Sequence, residues 1–134
     1  MNVFISYSHT DKKWADALRS GLTDAGFEVT VPGEDIEPGE NWHLELGKAL
    51  DRANAMVVLL SPDSVASRDI RAEIEFALVS PHFRGRLIPV LVKPTDDVPW
   101  ILRKQRFIRA TKNVDETVNR VVEALQQSPV PVGS

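Results

Sequence analysis

The strongest constraint on the fold of this chain is a regular alternation of short apolar runs and amphipathic helical segments. The clearest apolar run, at residues 56–60, is typical of a strand buried on both faces. It is followed at once by Ser61, a helix N-cap residue, and by Pro62, which suits the first helical position. Strand-like and helical patterns that alternate in this way predict a parallel sheet with crossover helices.

The same patterns assign most of the chain to strands or helices. They predict strands at residues 3–7, 27–31, 56–60, 87–92 and 107–110. They predict helices at residues 11–25, 42–53, 64–79 and 115–127, with a loop at residues 32–41. We therefore expect an α/β fold, a flavodoxin-like open five-stranded parallel sheet with helices on both faces.

Length and composition are those of an ordinary single domain, with 134 residues, 43% of them hydrophobic and 26% charged. We expect this domain at residues 1–127 and a Pro-rich tail or linker at residues 128–134. The net charge is −3 without a basic block, which disfavours direct binding of nucleic acid. No apolar run is long enough to span a membrane. The absence of cysteine is compatible with a reducing cytosol, and we expect a cytoplasmic protein.

A ligand of such a sheet is expected beyond the carboxyl ends of the strands. That edge would bring residues 6–9, the loop at residues 32–41 and the start of residues 61–78 around one cleft. No glycine follows the first strand within residues 6–11, so neither a phosphate-binding loop nor a dinucleotide fingerprint is present. The acidic residues of the loop lack a recognised ligand spacing, and we predict no metal site.

Glu73 is the carboxylate that the helical pattern places near this cleft. At about 100° per residue, it lies at the edge of an apolar helix face, one turn after Asp69, while Glu75 points toward water. That apolar face consists of Ile70, Ile74, Ala77 and Leu78. Periodicity alone favours a solvated surface glutamate, which is the usual position of this residue.

Several segments together resemble the Toll/interleukin-1 receptor (TIR) domain family in its bacterial form. Residues 3–8, Val-Phe-Ile-Ser-Tyr-Ser, resemble the opening motif of the family. Residues 35–39, followed by Trp42, resemble its loop after the second strand, and residues 60–67, followed by Glu73, resemble its third strand and helix. The resemblance covers residues 2–127, nearly the whole chain.

The resemblance implies one of two functions. Many TIR domains cleave NAD+ at the nicotinamide–ribose bond, or remake it as cyclic ADP-ribose, when they self-assemble. Others are non-enzymatic adaptors that act by TIR–TIR association, or virulence factors that mimic host adaptors. In the enzymatic members a glutamate on this helix is catalytic, and Glu73 occupies its position. We expect an NAD+ nucleosidase of bacterial immune defence, with NAD+ as substrate, no cofactor, and other TIR domains or a sensor domain as partners.

The resemblance also implies which residues contact the substrate. His9 joins this set because it lies at a strand end, and Asp69 because it stands where the family often has a tryptophan, one turn before Glu73. Pro32 stands where the family frequently has an aspartate. The predicted substrate-binding residues are Phe4, Ser6, Ser8, His9, Ile36, Gly39 and Asp69.

Overall fold

A computed structural model describes residues 1–36, 39, 41–83 and 85–127 of the chain. Its sheet has five strands in the order β2-β1-β3-β4-β5, and every neighbouring pair is parallel. The strands are β1 (Asn2–Ser6), β2 (Glu28–Thr30), β3 (Ala55–Leu60), β4 (Leu87–Leu91) and β5 (Ile108–Arg109). This order confirms the predicted flavodoxin-like sheet.

Six α-helices connect and cover these strands within the described part of the chain. They are α1 (Lys12–Asp24), α2 (Pro32–Asp35), α3 (Trp42–Arg52), α4 (Pro62–Ala66), α5 (Arg68–Val79) and α6 (Val114–Gln126). Short 3-10 turns lie at His9–Asp11, Pro81–Phe83 and Trp100–Lys104.

The helices cover both faces of the sheet, as predicted. On one face, β3 side chains such as Met56 and Val58 pack with residues of α3 and α5. On the other face, Val57 and Leu59 pack with residues of α1 and α6. The alternation arises because successive side chains of a strand point to opposite faces, and it explains why the whole of β3 is apolar.

The predicted single helix at residues 64–79 is wrong, because the chain forms two helices there. Ser61 and Ser64 cap α4 reciprocally, each side chain accepting a hydrogen bond from the other residue's backbone N–H. Ser67 then has extended backbone and its hydroxyl accepts from the Ile70 N–H at 3.3 Å, which begins α5. Helix α5 therefore begins at its own cap and does not continue α4.

Two further expectations differ from the structure. Leu78 was expected on the inward face of its helix but is 37% exposed, because the inward face of α5 ends at Ala77. Part of the predicted loop at residues 32–41 is the helix α2, whose Asp35 carboxylate accepts from the Val31 N–H at 2.7 Å. Pro32 begins this turn at a position where the missing N–H costs nothing.

Two predictions made from the sequence concern the tail and membrane-spanning segments. The predicted tail at residues 128–134 lies outside the described residues. Among the residues that are described, none of the helices has the length and apolar character needed to cross a lipid bilayer.

Candidate active site

Glu73 lies on α5 with its side chain turned toward the carboxyl edge of the sheet, and the residue is only 7% exposed. Its partner is Ser6, the last residue of β1, which is fully buried. The Ser6 hydroxyl donates to Oε2 of Glu73 across 3.5 Å, a long hydrogen bond. The strand end and the helix are thus joined through a single buried carboxylate.

The environment of Glu73 favours the protonated form of its carboxyl group. Burial is the largest cause and the nearby charge of Asp69 the second, while the hydrogen bond from Ser6 acts in the opposite direction. Together they raise the pKa of Glu73 from 4.5 to about 7. A carboxyl group with this pKa changes charge near neutral pH, as functional acids and bases often do.

Glu73 opens onto a cavity of about 260 Å³ at the carboxyl edge of the sheet. The cavity has a polar part and an apolar part. The polar part is lined by Tyr7, Ser8, His9, Ser67, Asp69 and Glu73. The apolar part is lined by Pro32, Trp42, Leu46 and Ile70. A concave site with one buried, perturbed carboxyl group and an apolar wall is the usual form of a small-molecule site.

A larger cavity, of about 490 Å³, lies between β5 and α6, far from this edge of β1. Its Arg106 guanidinium donates to the backbone carbonyls of Ala124 and Gln127, at 3.2 and 3.1 Å, and so satisfies the C-terminal end of α6. The carboxylate among its described lining residues, Glu123, is exposed. We therefore place the candidate chemistry at the smaller cavity.

The sequence model of the TIR domain family matches residues 3–126. The chain belongs to the TIR domain family. It is 30% identical over 125 residues to the NAD(+) hydrolase PdTIR of Paracoccus denitrificans (strain Pd 1222), an alignment that covers 87% of this chain and 42% of the relative. The chain thus spans about two fifths of the length of the curated relative it matches.

Solved structures with the same fold come from animals and bacteria. The TIR domain of the Toll-related receptor TRR-2 from Hydra magnipapillata superposes with a TM-score of 0.77 at 23% identity, covering 93% of this chain and 98% of that one. A metazoan TIR-STING receptor from C. gigas gives 0.75 at 25% identity, covering 98% of this chain and 41% of that one. The CMP N-glycosidase BcmB from Clostridium botulinum gives a TM-score of 0.64 at 14% identity, covering 92% of this chain and 98% of that one, which shows a shared fold alone.

Three of the predicted substrate-binding residues line the cavity of this TIR domain together with Glu73. They are Ser8, His9 and Asp69. The Ser8 hydroxyl lies 3.2 Å from that of Thr10 and makes no cap to the following turn, so its helix-cap alternative does not apply. His9 and Asp69 are exposed residues that line the cavity.

The other four predicted substrate-binding residues lie elsewhere in the TIR domain. Phe4 and Ile36 belong to the apolar core under α3 and α5, so we assign them packing roles. Ser6 is fully buried, so it has no exposed surface that could contact a substrate. Its hydroxyl donates to the Glu73 carboxylate, and we assign Ser6 the role of orienting that group. Gly39 is exposed and is not among the residues that line the cavity.

Several cavity residues were not predicted as site residues. Tyr7 directly follows β1 and Pro32 lies two residues after β2, within the segments that their strand-end position predicted around the cleft, although neither was singled out as a substrate-binding residue. Ser67 carries an N-cap signal that would have placed it at a helix start. Trp42 and Leu46 lie four residues apart on one face of α3, a spacing that is also typical of a helix face packed on a core.

A second buried carboxylate, Asp11, connects three strand ends at the same edge. Its Oδ2 accepts from the Ser61 hydroxyl at 2.5 Å, just after β3, and the Lys93 ammonium lies 3.0 Å from Oδ1, just after β4. Asp11 itself lies five residues after β1. This cluster holds the residues that follow β1 against the start of α4, and it therefore supports one wall of the cavity.

No group of three or more His, Asp or Glu side chains suited to hold a metal ion occurs within the described part of the TIR domain.

Proposed function

We propose that this TIR domain is an NAD+ glycohydrolase or ADP-ribosyl cyclase that breaks the nicotinamide–ribose bond. The observation that carries the proposal is Glu73, a buried carboxyl group at the carboxyl edge of the sheet that opens onto a nucleoside-sized cavity. The similarity to an NAD(+) hydrolase, 30% identical over 125 residues, supports the same reaction.

One carboxylate is sufficient for this chemistry. Cleavage of an N-glycosidic bond develops positive charge on the ribose, as in glycoside hydrolysis. A glycosidase must protonate its leaving oxygen, whereas nicotinamide in NAD+ already carries the positive charge and leaves as a neutral molecule. The carboxylate of Glu73 would stabilise the ribosyl cation and accept hydrogen bonds from ribose hydroxyls. Capture by water gives ADP-ribose, and capture by an adenine nitrogen gives a cyclic product.

Activation by self-association is part of the proposal. It rests on the family resemblance, as does a role in bacterial immune defence. A cytoplasmic location and control by a sensor module stay predictions from the composition of the sequence. Association would remove water from an otherwise open cavity, which strengthens the interaction between the carboxylate and the cation.

The test is nicotinamide release from NAD+ by clustered protein. The domain is fused to an inducible oligomer so that it can be clustered. Nicotinamide released by wild type, Glu73→Gln and Glu75→Gln is then measured by liquid chromatography. Glu73→Gln keeps the side-chain shape and removes the charge, so we expect activity to fall by about 100-fold or more. Glu75 lies on the same helix but is exposed, and its substitution serves as the matched control, with activity retained. Full activity of Glu73→Gln contradicts the proposal.

A non-enzymatic scaffold, acting by TIR–TIR association or as a mimic of host adaptors, is the second candidate. The observation that favours it is Asp69, whose charge disfavours the anionic form of Glu73. Clustered wild-type protein that releases no nicotinamide, while still forming assemblies, would support the scaffold.

A further inference from the structure

We propose that Lys93, which does not line the cavity, is a positioning residue for the candidate active site. Its ammonium acts through the buried carboxylate of Asp11, which fixes the turn that brings Ser8 and His9 to the cavity wall. The inference rests on the proposed function, since it assumes that the substrate binds in this cavity.

Asp11 carries a buried charge that the fold must neutralise. Its side chain has no exposed surface, and its Oδ2 accepts the hydrogen bond from the Ser61 hydroxyl. Its Oδ1 accepts no hydrogen bond from any group in the described part of the chain. The Lys93 ammonium, 3.0 Å from Oδ1, is therefore the group that balances this charge.

Lys93 can do this because the sheet fixes its backbone. Strands β3 and β4 pair as far as Leu60 and Leu91, and the N–H groups of Val92 and Lys93 both donate to the Leu60 carbonyl, at 3.0 and 3.4 Å. The Lys93 side chain is 49% exposed. Its ammonium therefore keeps part of its hydration while it contacts a carboxylate that has no access to solvent.

Asp11 in turn holds the segment that follows β1. It is the last residue of the 3-10 turn His9–Asp11, and its N–H donates to the Ser8 carbonyl at 2.8 Å. Ser8 and His9 both line the cavity. A movement of Asp11 toward water would therefore displace two residues of the cavity wall.

Two further side-chain contacts of this turn are exposed. The Ser8 hydroxyl lies 3.2 Å from that of Thr10, and the Thr10 hydroxyl donates to the Asp63 carboxylate of α4 at 2.8 Å. Exposed contacts contribute little to stability, because water can replace either partner. The position of the turn therefore depends more on the buried carboxylate and its cation.

Loss of the ammonium alone leaves Asp11 as a buried anion without a cation. The carboxylate must then regain water, which requires the turn to open. Loss of both charges leaves no such anion, because the amide oxygen introduced by Asp11→Asn can still accept from the Ser61 hydroxyl. This difference separates positioning through Asp11 from a direct contact between Lys93 and the substrate.

The kinetic test compares Lys93→Met, Lys93→Arg and a double variant that combines Lys93→Met with Asp11→Asn, all in clustered protein. Lys93→Met should raise KM for NAD+ about tenfold with a smaller change in kcat, because the cavity wall moves while Glu73 stays on α5. Lys93→Arg keeps the charge and the double variant removes the unpaired anion, so both should restore most of the affinity. An unchanged KM in Lys93→Met, or a loss that persists in the double variant, overturns the inference.

Lys48→Met is the matched control for the loss of a lysine. The Lys48 ammonium lies 3.4 Å from Glu45 within α3, and the two side chains are 55% and 49% exposed. The substitution makes the same chemical change at an ion pair in which neither partner is buried, so KM should equal that of wild type. A rise in KM as large as that of Lys93→Met would contradict a specific role for Lys93.

Hydrogen exchange separates this inference from the proposed function, because it needs no turnover. The Asp11 N–H is bonded to the Ser8 carbonyl, so its exchange rate measures opening of the turn, while the Met56 N–H of β3 measures opening of the sheet. Lys93→Met should speed exchange at Asp11 about tenfold more than at Met56, and the double variant should return it toward wild type. Unchanged exchange at Asp11, or equal acceleration at both amides, overturns the inference. Faster exchange at Asp11 alone, in a domain that never cleaves NAD+, supports the positioning of the turn and contradicts the enzyme.

Discussion

Glu73 places an ionisable group where folding alone would favour an apolar one. Its burial and its proximity to Asp69 both disfavour the anion, and the long hydrogen bond from Ser6 compensates for them only in part. A buried acid of this kind reduces the stability of the folded state at neutral pH. Such a cost is common where a group is kept for its chemistry rather than for the fold.

Replacement of Glu73 by glutamine should therefore stabilise the domain, and increasingly so at higher pH. Folding raises the pKa of Glu73 from 4.5 to about 7. Between these two pH values Glu73 is largely protonated in the folded protein but ionised in the unfolded chain. The free energy of unfolding of wild type therefore falls as the pH rises through this window. Glu73→Gln has no such ionisable group and does not lose stability in this way. Its free energy of unfolding should exceed that of wild type by about 3 kcal/mol at pH 8 and by much less at pH 5.

Urea unfolding of wild type, Glu73→Gln and Glu75→Gln at both pH values measures this effect. The exposed Glu75 serves as the control and should change stability by less than about 0.5 kcal/mol at either pH. A Glu73→Gln protein that is less stable than wild type at pH 8 would show that the carboxylate is well accommodated when charged.

Single residues also show where sequence reasoning reached its limit. The position of Glu73 at the edge of an apolar helix face followed from periodicity, but its burial depends on β1 and Ser6, which lie 67 residues away. Phe4 was expected to meet the substrate, yet the strand alternation that buries it against α3 and α5 was already present in the sequence. The burial of Phe4 therefore followed from local pattern, whereas the burial of Glu73 depends on a contact with a residue distant in sequence.

At the scale of elements, two glycines in helices have opposite roles. A Cβ at Gly21 of α1 would overlap with Cγ1 of Val118 on α6, so the glycine permits the close approach of these helices. A Cβ at Gly47 of α3 would meet no atom within 4 Å. Alanine is otherwise the better helix former by about 1 kcal/mol, so the two sites form a matched pair.

We expect Gly21→Ala to destabilise the domain by about 1–3 kcal/mol, because Val118 is β-branched and cannot move aside by rotation alone. Gly47→Ala should instead stabilise it by up to about 1 kcal/mol. Thermal unfolding of the two variants beside wild type measures both effects. Equal shifts of the two melting temperatures, in either direction, would show that α1 and α6 are not closely packed at this position.

Helix boundaries were predictable where the capping residues were recognised. Ser61 and Pro62 correctly indicated the start of α4. The break between α4 and α5 was missed, although Ser67 is a good N-cap residue, because the apolar periodicity appeared to continue through it. The break matters for the site, since Ser67 itself lines the cavity and α5 carries Glu73.

At the scale of the whole molecule, sheet topology brings the site together. The order of strands and the two-sided helix layers were predictable, because alternating apolar runs and amphipathic helices have few other solutions. The edge at which a ligand would bind followed from that topology. The shape of the cavity did not, because it depends on how α3 and α5 pack against one apolar cluster.

If Glu73 acts as an anion in the cavity, its ionisation should control the rate. The pH dependence of kcat/KM for NAD+ in clustered protein, measured beside an NMR titration of the Glu73 carboxyl group, tests this role. The domain should gain activity as the pH rises through the raised pKa of Glu73, about 7, and the carboxyl signal should titrate over the same range. Asp69→Asn removes the second cause of the shift, so both the rate profile and the titration should move together to lower pH. A rate that is independent of pH between 5 and 8, or a profile that stays in place while the Glu73 titration moves, would contradict the account.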